Sequence, residues 1–373
     1  MLNIDDVLKL LLERHGSDVH FKAGRPPLFR IGGKIVPTEL ESLTAEDTKQ
    51  LAYSIMTSHQ IELFEQQRAL DFSYNFGRLA RFRVNVFQQR GVVGMVMRAV
   101  PWKIPTIEQL KLPPVLKDIA SKTQGLVLVT GPTGSGKSTT LAAMIDYINA
   151  TRQAHVITIE DPIEFVYQDK KCVINQREIG LDTDSFATAL RYVLRQDPDV
   201  ILIGEMRDLE TIRTAVTAAE TGHLVFSTLH TNDATQTVDR IIDSFPAEQQ
   251  QQVRVQLSMC LLAVISQRLV RLANGNGRIA AVEVMINSPT IKKYIEEGNT
   301  GAIHKAIEQS VTYYRMQTLN QSLVALAKRG YVTYEDALAA SPDPDEFKRN
   351  FRGIYSGSSL DAQAAYYQQA QEE

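Results

Sequence analysis

The chain has 373 residues, with 40 Lys and Arg against 43 Asp and Glu for a formal net charge of −3. Single hydrophobic cores stop growing at roughly 250–300 residues, so this length predicts two domains. A composition 44% hydrophobic and 22% charged excludes a disordered chain, and the near-neutral balance excludes a strongly basic nucleic-acid binder at the level of the whole molecule.

In chain order, the acidic start Met1-Leu2-Asn3-Ile4-Asp5-Asp6 lacks the positive charge of an export signal. Asn3 to Arg14 places Ile4, Val7, Leu8, Leu11 and Leu12 at helical spacing. Strands are predicted over Asp18 to Phe21, Leu28 to Ile31 and Lys34 to Val36, and one helical stretch over Thr44 to Gln67. Ala80 to Phe87 alternates Phe82, Val84 and Val86 with Arg81, Arg83 and Asn85, a strand with one basic face, and Met95 to Val100 is a further strand. Pro101, Pro105, Pro113 and Pro114 resist regular structure and mark a linker.

Beyond it, short apolar runs at Gly125 to Thr130, Val156 to Ile159, Val200 to Ile203 and Leu224 to Thr228 alternate with helical stretches. That alternation predicts an α/β layer with a largely parallel sheet. The expected domains are 1–100, a linker at 101–115, an α/β core at 116–277, a mainly helical region at 278–355 and a disordered polar tail at 356–373. The most apolar stretch, Leu257 to Ile265, is far shorter than the ~20 residues that span a bilayer. Cys172 and Cys260 lack metal-site spacing and favour a reducing compartment, so a soluble cytoplasmic chain is expected.

The strongest local signal is Gly131-Pro132-Thr133-Gly134-Ser135-Gly136-Lys137-Ser138, a match to G-x-x-x-x-G-K-[ST] between a β-rich run and a helical pattern. Glycines let backbone N–H groups converge on phosphate oxygens, and the following helix start adds its positive dipole end. Lys137 is assigned to the β- and γ-phosphates, Ser138 to Mg²⁺ and Thr139 to the α-phosphate, with Thr133, Gly134, Ser135 and Gly136 forming the cradle. ATP and Mg²⁺ are the expected ligands.

Hydrolysis further needs an acidic group and a means of orienting water. Two acidic clusters follow strands: Ile157 to Glu164, with Glu160, Asp161 and Glu164, and Asp199 to Asp208, where Gly204 stands at the usual Walker B acid position and Glu205 carries the carboxylate. As solvated loop charges, Glu160, Asp161 and Glu164 have an equally simple explanation. His230, directly after a strand and beside Thr231 and Asn232, is placed to sense a γ-phosphate, while His223 is equally a structural residue.

With four motifs in this order, the chain resembles the PilT family of type IV pilus retraction ATPases, within the secretion ATPase superfamily. The blocks are Gly131 to Thr140, Ile157 to Glu164 (Asp box), Leu202 to Asp208 and Thr228 to Ala234 (His box), with further likeness at Asp18 to Gly33 and Arg81 to Arg98. The resemblance implies a small PAS-like α+β N-terminal domain followed by a RecA-like P-loop ATPase domain with a helical C-terminal region. It also implies a homohexamer that hydrolyses ATP to ADP and phosphate, with each nucleotide between the two domains and near a neighbouring subunit. The implied partner is an inner-membrane pilus platform protein, with membrane association only through partners and no nucleic acid.

By the same resemblance Glu164 and Glu205 position the hydrolytic water with Glu160 in support, Arg83 and Arg98 reach the phosphates, and Arg278 adds a further arginine. Without the resemblance, Arg83 and Arg98 read as an exposed basic strand face. The runner-up is a nucleic-acid motor using Arg78, Arg81, Arg83 and Arg90 with Phe82 and Phe87. Extension-type relatives carry an additional N-terminal domain and a four-cysteine zinc site, which two cysteines cannot form. The family's late A-I-R-x-x-I-R-E motif appears as Ala302 to Gln309 with His304 and Glu308 at the arginine positions, which leaves an auxiliary or paralogous motor as an alternative.

Overall fold

The computed structural model describes residues 2–77, 80–100 and 104–354. Arg78, Pro101 and the tail at 356–373, each part of an expectation above, lie outside the described residues. The chain divides into two compact units, Met1–Lys103 with Glu164–Val166, and Ile104–Ile163 with Tyr167–Glu373.

The first unit begins with α1 (Ile4–Glu13), which is capped by the Asn3 side chain and buries Ile4, Val7, Leu8 and Leu11 along one face. There follow β1 (Asp18–Phe21), β2 (Leu28–Ile31), β3 (Lys34–Pro37), α2 (Ala45–Ser54), α3 (Ser58–Gln67), β4 (Ala69–Phe76), β5 (Ala80–Gln89) and β6 (Val92–Val100). Among the described residues the strands form one antiparallel sheet in the order β3-β2-β1-β6-β5-β4. The single helix expected over Thr44 to Gln67 is two, because Thr57 and Gln60 form a second capping box that starts α3. On β5 the alternation points Phe82, Val84 and Val86 into the core and leaves Arg83 exposed. The buried Phe82 ring is therefore unable to stack a base as the nucleic-acid reading requires.

Arg83, Arg98, Asp18 and Arg30 stand opposite one another across β5, β6, β1 and β2. Like charges on facing strands repel, and the buried Asp18 offsets them. The Arg98 Nε donates to Asp18 Oδ1 at 2.8 Å, and the Arg30 Nε lies 3.7 Å from Oδ2. Burial works to raise the Asp18 pKa, but the Ser17 hydroxyl and the Arg98 guanidinium outweigh it and hold the carboxyl below its usual value.

The second unit contains α4 (Val115–Ala120), β7 (Gly125–Thr130), α5 (Lys137–Thr151), β8 (His155–Glu160), β9 (Val173–Glu178), α6 (Phe186–Val193), β10 (Val200–Ile203), α7 (Leu209–Glu220), β11 (Leu224–Leu229), α8 (Ala234–Asp243) and α9 (Ala247–Cys260). It continues with β12 (Leu261–Arg271), β13 (Arg278–Ile286), α10 (Pro289–Glu296), α11 (Ile303–Gln309), α12 (Val311–Tyr314), α13 (Leu319–Lys328), α14 (Tyr334–Ala340) and α15 (Pro344–Phe351). Its sheet runs β13-β12-β7-β11-β10-β8-β9, parallel throughout except for the antiparallel β12–β13 pair. The central strands are apolar because helices cover both faces, and β7, β10 and β11 are buried along their whole length.

Two boundaries differ from the expectation. Residues 104–115, expected as part of a linker, pack into the second unit and bury Ile107 and Leu112. The sheet does not end at residue 277 but takes in β13, and the helices after it bury their own cluster around Leu319, Leu323 and Phe347. Both cysteines are buried and free, and burial pushes the Cys260 thiol up to about 12. Among the described residues no helix is long and apolar enough to cross a membrane.

Because Asp18 titrates below its usual value, its stabilisation of the first unit is present above the unfolded-state pKa and is lost as pH falls through the folded one. Asp18→Asn should lower the stability of the first unit by about 1–2 kcal/mol near neutral pH, less than for a fully desolvated pair because the Arg98 side chain is 69% exposed. It should also flatten the acid limb of stability against pH, as read by urea melts at several pH values.

Candidate active site

The parallel register decides which residues meet. Thr130 of β7 pairs with Leu229 of β11, Ser227 of β11 with Ile203 of β10, and Ile203 with Ile159 of β8. The segments that leave these strands at 131, 161, 204 and 230 therefore emerge on one carboxyl edge of the sheet, where ligands bind in open α/β folds.

At that edge the loop at 131–136 joins β7 to α5. Gly131, Gly134 and Gly136 have φ of 139°, 78° and 92°, backbone that L-residues rarely adopt. A Cβ on Gly131 would lie 2.4 Å from the Gln267 carbonyl oxygen, so glycine is also required by space. The Gln267 Nε2 donates to the Ser135 carbonyl at 2.7 Å, and the Thr130 hydroxyl donates to the Ser266 hydroxyl at 2.8 Å. Strand β12 thus braces the loop from the side. The first N–H groups of α5 lack intrahelical acceptors, and Lys137, Ser138 and Thr139 are half-buried beside them. The Lys137 Nζ donates to the carbonyls of Gly131 and Pro132 at 2.9 and 3.2 Å, which folds the cation over the loop. Glycine cradle, helix start, lysine and hydroxyl together fit a polyphosphate and its divalent cation.

Glu205 follows β10 on the same edge. Its side chain is 14% exposed, with Arg207 Nη2 2.6 Å from one oxygen and His230 Nε2 3.6 Å from the other. Glu160 accepts from the Thr158 hydroxyl at 2.6 Å and from the Gln176 Nε2 at 3.1 Å, so its carboxylate is fixed from its own strand and from β9. Glu164 is exposed and belongs to the segment grouped with the first unit. Arg83 and Arg98 face each other in the first unit, with Arg98 taken up by Asp18. Arg278 is exposed at the start of β13, opposite Arg271, where the β12–β13 hairpin runs beyond β7. His223 is at the other end of β11, where its Nδ1 lies 2.9 Å from the Ala218 carbonyl in a structural contact.

The sequence matches the family described as type II/IV secretion system protein over residues 3–339. The chain belongs to that family. It is 47% identical to the type IV pilus retraction ATPase PilT of Pseudomonas aeruginosa over 346 residues, covering 93% of this chain and all of the relative. It is 43% identical over 361 residues to the type IV pilus ATPase PilU of the same organism, covering 97% of this chain and 94% of that one. The crystal structure of the pilus retraction motor PilT with bound ADP superimposes with a TM-score of 0.87 at 49% identity, covering 94% of this chain and the whole of the other. The fold of this family member is accordingly a PAS-like α+β unit followed by a RecA-like P-loop unit with a helical C-terminal region.

Four residues at this edge escaped sequence reasoning. Ser266 and Gln267 brace the loop, Arg207 holds Glu205, and the buried Glu178 accepts from the Ile163 N–H at 3.1 Å to anchor the Asp box loop. A signal for the first two exists in the sequence, since with Arg268 they interrupt an apolar run that resumes at Leu269.

Gly131→Ala should abolish nucleotide binding and lower the melting temperature, because its Cβ meets backbone. Gly134→Ala meets no protein atom within 4 Å and should cost the fold only the ~1 kcal/mol of left-handed backbone, so its melting temperature should fall less than that of Gly131→Ala. Thermal melts separate the two, and titration with a fluorescent nucleotide checks the loss of binding in Gly131→Ala.

Proposed function

We propose that this chain is an ATP-driven motor for type IV pilus retraction, acting as a homohexamer at the cytoplasmic face of the inner membrane on a pilus platform protein. The observation that carries the reading is the single carboxyl edge that holds the P-loop, Glu160, Glu205 and His230 in a member of this family. Support for the pilus comes from the relatives, whose names assign retraction and pilus ATPase activity to them.

In this reading the loop N–H groups of Thr133 to Gly136 and the start of α5 hold the α- and β-phosphates, with Thr139 beside them. Lys137 exchanges its two carbonyl partners for the β- and γ-phosphate oxygens. Ser138 would hold Mg²⁺, which would supply positive charge to the polyphosphate. Glu205 and Glu164 accept hydrogen bonds from the attacking water and orient it in line with the γ-phosphate, with Glu160 in support. His230 faces the γ-phosphate and couples its presence to Glu205. Arg83, Arg98 and Arg278 supply positive charge to the nucleotide of the assembled ring, and for Arg98 that requires its guanidinium to leave Asp18. Chemistry of this kind is almost entirely positioning and charge neutralisation.

A second reading, an accessory motor working beside a principal one, is favoured by His304 and Glu308 in the late motif and by the likeness to PilU. Introducing the gene into a strain that lacks its principal retraction ATPase discriminates. Restored twitching supports the principal role, and excess non-retracting pili despite normal ATPase activity supports the accessory one.

Lys137→Ala and Glu205→Gln should each lower phosphate release at least ~100-fold in the purified full chain. Parental turnover in Glu205→Gln removes that residue from the assignment. Arg207→Ala should lower kcat less, ~10-fold, since it holds Glu205 and does not replace it.

A further inference from the structure

Glu283 is a carboxylate in the interior of the second unit, 3% exposed, on a strand that leaves the parallel core. Burying a charge is costly unless other groups satisfy it. Here a helix start contributes. The Ala234 N–H, first in α8, donates to Glu283 Oε1 at 2.8 Å. It is a backbone donor that its own helix leaves without an acceptor, and α8 directs its positive end at the carboxylate.

What Glu283 holds is the exit of β11. Leu229 ends that strand, His230 to Asp233 cross the carboxyl edge, and Ala234 opens α8. The turn is pinned at its far end by the Glu283 bond together with the Asp233 side chain, which caps the Gln236 N–H at 2.8 Å. Charged groups reach Glu283 from several sides: Asp233 from the cap of α8 and His304 from α11, while Ser266, opposite on β12, is neutral. Burial pushes the carboxyl up to about 7 against the pull of Ala234, His304 and Leu319. It is thus weakly acidic and held by a directed bond from the start of α8.

We propose that Glu283 is a positioning residue for ATP hydrolysis, which fixes His230 and the segment after β11 by holding the first N–H of α8. The inference rests on the reading of His230 as facing the γ-phosphate. A group that sets the place of another by about an ångström is expected to act on kcat and to leave substrate binding at the P-loop largely untouched.

The test is steady-state phosphate release by the full chain in parental, Glu283→Gln, Glu283→Leu, Glu283→Asp and His230→Ala forms, each checked for folding by its melting curve. Glu283→Gln keeps an acceptor oxygen at the same reach and should stay within about threefold of the parent. Glu283→Leu removes the acceptor and Glu283→Asp withdraws it by one methylene. Both should lose at least ~10-fold in kcat with the KM for ATP changed less than about twofold. Should Glu283→Leu not fold, the aspartate variant carries the comparison. Parental kcat in a folded Glu283→Leu or Glu283→Asp form, or a loss confined to KM, overturns the proposal. Parental turnover in His230→Ala removes the reading beneath it, and slow His230→Ala beside unaffected Glu283 variants removes the proposal alone.

Discussion

The amide of Gln267 reaching the Ser135 carbonyl at 2.7 Å is the contact on which the phosphate loop depends. It is buried, so losing it would leave the Ser135 carbonyl unsatisfied at full desolvation cost. The same residue decides two of the loop's glycines: its carbonyl stands against Gly131 and its side-chain nitrogen against Gly136. With Thr130 bonded to Ser266 one residue before the loop, β12 acts on both sides of the bend that turns strand into helix. The cradle is local in sequence, but its shape is imposed by a strand more than a hundred residues downstream.

That strand is also where the sheet changes direction. β12 lies parallel to β7 and antiparallel to β13, which lets a long hairpin run past the last paired residue of β7 and lets Glu283 reach the start of α8. The edge that meets nucleotide is therefore supported on one flank by polar groups of the hairpin and on the other by Glu160 and its bonds to Thr158 and Gln176. Between them Glu205 is 14% exposed while its partner Arg207 is 74% exposed. An ion pair with one largely shielded and one solvated member loses little by rearranging at its exposed end.

The phosphate loop was legible because its chemistry demands particular residues at adjacent positions, and β7, β8, β10 and β11 because burial on both faces writes them as apolar runs. What escaped follows from the same physics. β9 is an edge strand with Val173 exposed and polar residues along most of its length, so no periodicity marks it. β12 has one half in the core and the other in an overhanging hairpin, so no single pattern covers it. The break between α2 and α3 is made by capping bonds at Thr57 that do not interrupt the polar and apolar pattern. Ser266, Gln267, Arg207 and Glu283 act on partners that only the folded sheet brings near, and a partner's identity is not written in the residue that meets it.

The altered late motif illustrates how environment can restore what a substitution removes. His304 carries a cation only when protonated, where the resemblance leads one to expect arginine. The fold sets its Nε2 3.9 Å from Glu346 Oε2, and Asn320 and Asn350 hold that carboxylate in place. The nearby Glu346 carboxylate raises the His304 pKa against the opposing effect of burial, and Glu283 and Glu308 add to the rise. The sign is that of a histidine gaining acidic partners. Its contribution is complete below the ordinary histidine pKa and is lost as pH rises through the elevated one. Position 304 thus keeps positive character over a wider pH range than a free imidazole, whereas Glu308 reverses the charge outright. The departure of consequence in this motif is the glutamate.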